Sequence, residues 1–570
     1  KILSHGEHLR AEWPVAGTTG YDFLNQAEAL FLDPAGYEAI EEDYRRVIRQ
    51  PLEFPAIARQ GKRLVLETGL SAGVRRLADR LLMLAAPAHP LSALRRQDLL
   101  RAIVETIVAL PVYRTYIDGR SPTPGPEDRR LLEDALAEAR TRGRSSPAAL
   151  DLLERALLTH LRFAERYQQI SGPATAKGVE DTAFYAYAPL LSRNEVGGGP
   201  EARLDHAVAD FHAANTERAA RWPGGMLAVS THDTKRTADV RARLDVLSEI
   251  PAEWAKRLQL WRRLNLPHKM TIGGRRVPDP GTVHHLLQAM VGVWPLEPLA
   301  VGDLDLLRER LTGYMEKAAR EAKLRTTWTD PDTEFEAALR ADIEALLDPA
   351  RSPRFLDDLE RLVGRIARPG LWNALARTVL HLASPGVPDL YQGDELWSFA
   401  LVDPDNRRPV DFERRRRLLD EVERGISGAP ADRESFLRRL VASPEDGRLK
   451  LHVIRSALAA RRARPDAFRS RAYQPLAATG RAAARIVAFG RGDGAERLVA
   501  VVPRWLARLE GEPTERSLWE GTGLPLPQGW PARWACALSG RALTAGAGSL
   551  DVAELFAVLP VALLLAEPAP

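Results

Sequence analysis

Seven consecutive residues, Ser230-Thr231-His232-Asp233-Thr234-Lys235-Arg236, gather an imidazole, a carboxylate and two cations. They follow an apolar run, Met226 to Val229, with the length and character of a buried strand. A helical pattern runs on from Thr237 to Leu247. A His-Asp pair at the C-terminal end of a buried strand is where a β/α barrel carries its reacting groups. The same residues also make a helix start, with Thr231 or Asp233 as N-cap, His232 solvated, and Lys235 and Arg236 on an exposed face. Residue pattern alone favours that plainer reading.

Three other stretches carry chemistry. In Gly172 to Tyr185, Lys177, Glu180 and Asp181 stand close together ahead of two aromatics. Ionisable groups in an apolar setting must be paired or functional. The alternative there is a surface loop with a helix starting at Asp181. Residues 4–23 read as a loop rich in Gly, Pro and aromatics, with Trp13, Tyr21 and Asp22. Rings of that kind stack on pyranose faces, and a carboxylate accepts from sugar hydroxyls. A plain connecting loop fits these residues equally well. Finally, Ser384 to Trp397 reads as a short strand between a Pro-Gly turn and a glycine, with carboxylates at its end, and the polar loop Asp403 to Val410 follows.

These stretches need a frame. The chain reads as helical from Glu28 to about Tyr167, with one apolar face on Leu99, Ile103, Ile107 and Leu110 and another on Leu150, Leu153, Leu157 and Leu161. Asp118 to Asp128 is a Pro/Gly/Ser-rich connection within that block. Residues 250–365 are helical again, with faces on Leu304, Leu307, Leu311 and Tyr314 and on Phe335, Leu339, Ile343 and Leu346. Gly273-Gly274 and Asp279-Pro280-Gly281 separate elements there. Helices are expected over 371–383 and from about Leu449 to Arg464. From Phe468 the pattern turns to short strands, with a hairpin about Gly492-Asp493-Gly494, and predicts a small antiparallel domain of sandwich type.

Composition narrows the class. With 570 residues, the chain should hold several domains or one large elaborated one. Hydrophobic residues make up 45% and charged residues 27%, which is ordinary for a globular protein. The net charge is only +4, and arginines alternate with acids along helices, which argues against a nucleic-acid groove. The single cysteine, Cys536, rules out an internal disulfide framework, so a cytoplasmic location is expected. No apolar run approaches the roughly 20 residues of a membrane span. No glycine-rich loop has phosphate-binding spacing, and no nucleotide is expected. The chain opens on Lys1-Ile2-Leu3 with neither Met nor a signal peptide, and is expected to begin inside an element.

In order, the Lys-Gly-Val-Glu-Asp run at 177–181, the His-Asp pair at 232–233 and the run Pro385-Gly-Val-Pro-Asp-Leu-Tyr-Gln-Gly-Asp-Glu395, followed by a β region, resemble the α-amylase superfamily of glycoside hydrolases. Within it the match is to the maltooligosyltrehalose synthase family, the (1→4)-α-D-glucan 1-α-D-glucosylmutases. Family-like runs lie at 1–24, 172–198, 226–244 and 384–414. Those at Ala176–Tyr185 and Leu390–Pro409 are specific to the synthases, whereas the His-Asp pair is shared across the superfamily.

The resemblance implies an α/β fold: the C-terminal portion of a (β/α)8 barrel with large helical insertions, plus a C-terminal antiparallel β-sandwich domain. The expected division is barrel segments at 1–27, 167–248 and 366–466, helical insertions at 28–166 and 249–365, and the β-domain at 467–570. The implied reaction isomerises the reducing-end α-1,4 bond of a maltooligosaccharide to an α,α-1,1 bond, with no cofactor and no metal. Asp233 matches the carboxylate that stabilises the transition state, and His232 would donate to the same sugar. Lys235, Lys177 and Glu180 match polar groups around the scissile bond, and Tyr21 and Asp22 would assist. The family's general acid stands just before the Lys-Ile-Leu run and its nucleophile further upstream. Neither is therefore assigned to this chain. An N-terminal fragment completing the barrel, or a longer polypeptide, is expected to supply them, and the chain alone is expected not to turn over. The rival readings are an α-glucan hydrolase or glucanotransferase of the same superfamily, and a non-catalytic carbohydrate-binding scaffold.

Overall fold

The computed structural model describes residues 2–567 apart from 5, 50–52, 86–93, 120–123, 301, 495 and 510. The opening at Lys1 and the middle of the 118–128 connection lie outside the described residues. The protein is rich in helix, and its strands are short. In chain order they are β1 (Met226–Ala228), β2 (Met270–Ile272), β3 (Arg275–Val277) and β4 (Val387–Asp389). The C-terminal part adds β5 (Tyr473–Leu476), β6 (Ile486–Asp493), β7 (Glu496–Pro503), β8 (Gly523–Pro525), β9 (Arg533–Cys536), β10 (Ala542–Thr544), β11 (Ser549–Asp551) and β12 (Ala562–Ala566).

The centre is parallel. β1 and β4 pair with Leu227 opposite Pro388. On the other edge of β1, the N–H groups of Met226 and Ala228 donate to the carbonyls of Thr18 and Gly20 at 3.3 and 3.4 Å. Both residue numbers advance together, so the 18–20 segment also runs parallel to β1. Gly20 has φ +91°, and a Cβ there would stand 2.4 Å from the backbone nitrogen of Ala228. Only glycine allows this approach. The helix Tyr21–Ala29 follows at once, so Tyr21 and Asp22 lie in a helix and not in the expected loop. Trp13, in the loop itself, packs edge-on against Tyr116 with centroids 4.6 Å apart.

β1 leads through the Ser230–Arg236 turn into the helix Ala238–Asp245, as expected. β4 is preceded by the helix Pro353–Ala383. The sequence reading places a helix only over 371–383, although a proline inside a helix, here Pro369, removes one backbone hydrogen bond. The helix runs on through Pro369, and every residue from Gly370 to Ala383 is buried. Burial on all sides holds that half in place, at the loss of one backbone hydrogen bond. This helix also crosses the 365/366 boundary drawn from the sequence.

The C-terminal strands form a six-stranded antiparallel sheet in the order β10-β9-β12-β7-β6-β5, with β11 and β8 as a separate pair. One apolar core joins this sheet to the second half of the long helix and to the helix Tyr21–Ala29, through residues such as Phe23, Leu375, Val379, Phe489 and Val499. A second core surrounds Trp254, Trp261 and Phe355. A third, within residues 66–174, draws on Leu99, Ile103, Leu150 and Leu153. Leu161, expected on the same face as Leu150, starts the next helix and is exposed, because the helix Pro147–Thr159 ends before it. Gly273-Gly274 is the turn of the β2–β3 hairpin, a pairing the sequence reading did not foresee.

The Lys177 stretch is not a loop. The helix Leu161–Thr175 continues into a wider π-helical turn, Ala176–Ala183. It is seated by glycines on both sides. A Cβ on Gly61, in the helix Phe54–Glu67, would meet the carbonyl oxygen of Gly178 at 2.1 Å, and one on Gly178 would meet the Lys62 nitrogen at 2.6 Å. Overpacking of this kind costs about 1–3 kcal/mol. Gly61→Ala is therefore expected to lower stability by about that amount in urea denaturation. An unchanged midpoint would mean that the two backbones do not meet so closely.

Candidate active site

The turn after β1 is fixed by its own side chains. The Thr231 hydroxyl oxygen accepts from the N–H groups of Asp233 and Thr234 at 3.1 and 3.2 Å, and lies 2.9 Å from the Tyr21 hydroxyl. The Thr234 hydroxyl donates back to the Thr231 carbonyl at 2.9 Å. From outside the turn, Asn406 Nδ2 donates to the carbonyls of Thr231 and His232 at 3.3 and 3.2 Å, and the Tyr391 hydroxyl donates to the Asn406 carbonyl at 3.3 Å. The second sequence stretch thus braces the first. Asp233 is half exposed and His232 is exposed, whereas Thr234 to Ile250 are buried throughout. The helix starts only after Thr237, so neither Thr231 nor Asp233 is its N-cap.

Lys235 points inward with 3% of its side chain exposed. Its Nζ donates to Asp181 Oδ1 at 3.1 Å and lies 3.6 Å from Asp233 Oδ1. The other oxygen of Asp181 accepts from Lys177 Nζ at 2.5 Å. Four charges thus alternate in a row: Lys177, Asp181, Lys235, Asp233. Burial works against the charge on Lys235, but the Tyr185 hydroxyl and the carboxylates of Asp181 and Asp233 outweigh it and hold its pKa above the ordinary lysine value. Burial likewise opposes ionisation of Asp181, and Lys235 and Lys177 together hold that carboxyl below its usual range. The hydrogen bond to Asp181 raises Lys177.

Glu180 is 5% exposed. Its Oε1 accepts from the Tyr113 hydroxyl and, at 3.0 Å, from the Gly197 N–H. Burial pushes its carboxyl up to about 7, against the downward pull of those hydrogen bonds and of Lys235. Tyr21 also sits above its ordinary value, chiefly through burial. Asp22 faces elsewhere. It accepts from the Thr18 hydroxyl at 2.5 Å and from Arg218 at 3.0 Å. It lines a cavity of about 410 Å³ together with Asn25, Arg218, Trp222 and Met226, and none of Lys177, Glu180, Asp233 and Lys235 borders that cavity.

Of the seven residues singled out from the sequence, Lys177, Lys235 and Asp233 are joined by ion pairs, with Asp181 between them. Glu180 lies on the same turn as Lys177, His232 stands exposed beside Asp233, and Tyr21 meets the Ser230–Arg236 turn through Thr231. Asp22 is engaged with Arg218. Sequence reasoning left out Asp181, Tyr113, Glu195 and Asn406. Asp181 was visible in the Lys-Gly-Val-Glu-Asp run, Glu195 and Asn406 lie in the family-like runs 172–198 and 384–414 without having been singled out there, and Tyr113 comes from a distant segment with no local signal. Glu195 accepts the Lys235 backbone N–H at 2.8 Å. Two carboxylates follow β4. Asp394 is buried beside Lys450 and Asp239, with its carboxyl pushed up to about 6 by burial, and Glu395 accepts from Arg415 at 2.9 Å. Among the described residues no group of three or more His, Cys, Asp or Glu is arranged to hold a metal ion, and no helix is long and apolar enough to cross a membrane.

The carboxyl of Glu180 sets a pH dependence. An unfolded glutamate ionises near 4.5 and the folded one near 7, so the folded state holds the extra proton between those values. Its contribution to stability is present below about pH 4.5 and falls as pH rises to about 7. Glu180→Gln keeps the shape without the titration. The variant should gain on the native protein by up to about 3 kcal/mol between pH 4.5 and 8 in denaturant midpoints. Parallel pH profiles would show that Glu180 ionises normally.

No family model matches the chain. A Mycobacterium tuberculosis protein that carries the name maltooligosyl trehalose synthase is 36% identical over all 570 residues, which span 65% of its length. The solved maltooligosyltrehalose synthase of Arthrobacter ramosus is 35% identical with a TM-score of 0.81, over 100% of this chain and 66% of that one. A glycosyltrehalose synthase structure matches with 27% identity and a TM-score of 0.74, over 63% of its length. These relatives are longer single chains, which gives a separate N-terminal fragment no support. Along its whole length, and over about 65% of theirs, the chain is thus a homologue of the maltooligosyltrehalose synthases.

Proposed function

We propose that this chain carries the substrate-enclosing part of a maltooligosyltrehalose synthase, which converts the reducing-end α-1,4 bond of a maltooligosaccharide to an α,α-1,1 bond. The observation that carries the reading is the charge row Lys177–Asp181–Lys235–Asp233 at the C-terminal end of β1, in a chain 36% identical to a protein named for that activity. The parallel run of 18–20, β1 and β4, with a helix after each of the first two, supports a barrel in which Asp233 stands at the mouth. The self-contained core of 66–174 supports an inserted helical subdomain, and the six-stranded sheet supports a separate C-terminal β layer.

In this reading the reaction retains configuration in two steps. The nucleophile's oxygen bonds to the anomeric carbon of the penultimate glucosyl unit as the bond to O4 of the terminal glucose breaks. That O4 takes the general acid's proton. The freed glucose turns and attacks through its anomeric hydroxyl, whose proton returns to the same acid–base group as the enzyme–sugar bond breaks. The nucleophile and the acid are assigned to no residue of this chain. Asp233, half exposed at a rigid turn, accepts from the hydroxyls of the transferred sugar and opposes the positive charge that develops on its ring. His232 donates to the same sugar. Lys177, Lys235 and Glu180 hold the freed glucose against exchange with water, and Tyr21 steadies the turn through Thr231. Asp22, bound to Arg218, shapes the wall behind.

Two measurements on the full-length protein test this. Maltopentaose should lose its reducing end without release of shorter sugars, whereas new reducing ends would favour the hydrolase reading. Asp233→Asn should lower the rate by about 10²–10³-fold or more, as expected when a group that stabilises transition-state charge is removed. Retained synthase activity in that variant would remove Asp233 from the mechanism.

A further inference from the structure

The loop that grips the Lys177–Asp181 turn carries an aromatic side chain that the mechanism does not use. Trp328 lies on the loop after the helix Asp303–Ala322 and is 53% exposed, which is rare for a ring of this size. It is not loose. Its Nε1 donates to Glu321 Oε1 at 3.0 Å, and the Arg320 guanidinium lies over the ring 5.0 Å from its centroid. Arg320 is itself held by two parallel bonds to Glu336 at 2.8 and 2.7 Å. The loop is tied by the Thr326 hydroxyl, which donates to Glu336 at 2.6 Å and accepts from the Asp332 N–H at 3.0 Å. One face of the indole is covered by a pinned cation and its N–H by a carboxylate, and about half of the residue stays exposed.

The same loop is fastened to the site. Lys323 Nζ donates to the Thr182 hydroxyl at 2.9 Å, to the Asp181 carbonyl at 3.2 Å and to Glu321 Oε2 at 3.2 Å. One carboxylate, Glu321, therefore holds both the tryptophan and the lysine that grips the Lys177–Asp181 turn. Its charge also adds to that of Asp181 in raising Lys177. A flat apolar face backed by a guanidinium matches the C–H face of a glucopyranose ring, and Lys177, with 65% of its side chain exposed, offers N–H groups to the ring's rim of hydroxyls.

We infer that Trp328 is a sugar-stacking platform, which binds a glucosyl unit of the maltooligosaccharide next to Lys177. This rests on the proposed glucan-binding site and adds a subsite to it. The test is titration of the full-length protein with maltopentaose by calorimetry, alongside steady-state kinetics, for the native protein, Trp328→Ala and Trp328→Phe. Trp328→Ala should weaken Kd and raise KM by about tenfold with kcat within about twofold, and Trp328→Phe should restore most of the affinity. Thermal melting should change little, since the ring is outside the core. Unchanged affinity in Trp328→Ala, or a fall in melting temperature without a change in Kd, would overturn the platform. No maltopentaose binding by the native protein would instead overturn the glucan-site reading on which it rests.

Discussion

Arg241 has no exposed surface, and its guanidinium holds four partners from separate parts of the chain. Nε donates to Glu28 at 3.0 Å, Nη1 to Glu195 at 3.3 Å and to the Arg236 carbonyl at 2.6 Å, and Nη2 to the Val229 carbonyl. Val229 and Arg236 bracket the turn that carries His232, Asp233 and Lys235. One rigid fork therefore sets the span of that turn, which a flexible lysine could not do. Glu28 also accepts from the buried Arg377. Against burial, the two arginines keep the Glu28 carboxyl below its usual range. Burial and the neighbouring Glu28 push the Asp245 carboxyl well above its own. Two guanidiniums, Arg241 and Arg377, thus face two carboxylates, Glu28 and Glu195. That balance matters because an unpaired charge at this depth costs several kcal/mol.

From this balance the site inherits its stiffness. Glu195 takes the Arg241 charge on one oxygen, and on the other the backbone N–H groups of Lys235 and Val196 at 2.8 and 3.0 Å. The position of Lys235 is thereby tied to the buried core and not to the surface. In front of that scaffold only His232 and Asp233 project, and the Thr231 hydroxyl fixes the N–H group beneath Asp233. A carboxylate held in this way has already met its ordering cost in folding, and a site gains most from groups that need not rearrange when charge develops.

The sequence made the local parts of this site readable and hid the rest. The strand Met226–Ala228 and the helix after Thr237 were legible, because an apolar run and a helical period are properties of neighbours. The Lys177 stretch was legible as chemistry but not as structure: it read as a loop, whereas it is a π-helical turn seated against Gly61. The helix around Pro369 was read too short, since burial of the helix beyond the proline outweighs one lost hydrogen bond. Asp22 looked like a sugar ligand beside Tyr21, yet Arg218, nearly 200 residues further on, claims it. Glu28, Arg241 and Arg377 gave no signal at all. Each is an ordinary charged residue on a helix until the fold sets them against one another across 213 and 349 positions.

The two lysines on Asp181 resemble each other in sequence and differ in almost everything else. Lys235 is nearly closed off from solvent and stands between two carboxylates, whereas Lys177 has 65% of its side chain in water and a single ion pair. A hydroxyl arriving at Lys177 can take one of its remaining N–H groups, or displace Asp181, without stranding a buried charge. The same exchange at Lys235 would take one of two carboxylates from a nearly buried ammonium at low dielectric, where Coulomb energies are several times those at the surface. A freed glucose that must turn before it reacts needs one partner that can let go and one that cannot. On the proposed reading, the depth of each lysine decides which is which: Lys177 changes hands as the sugar rotates, and Lys235 holds Asp181 and Asp233 in register while it does.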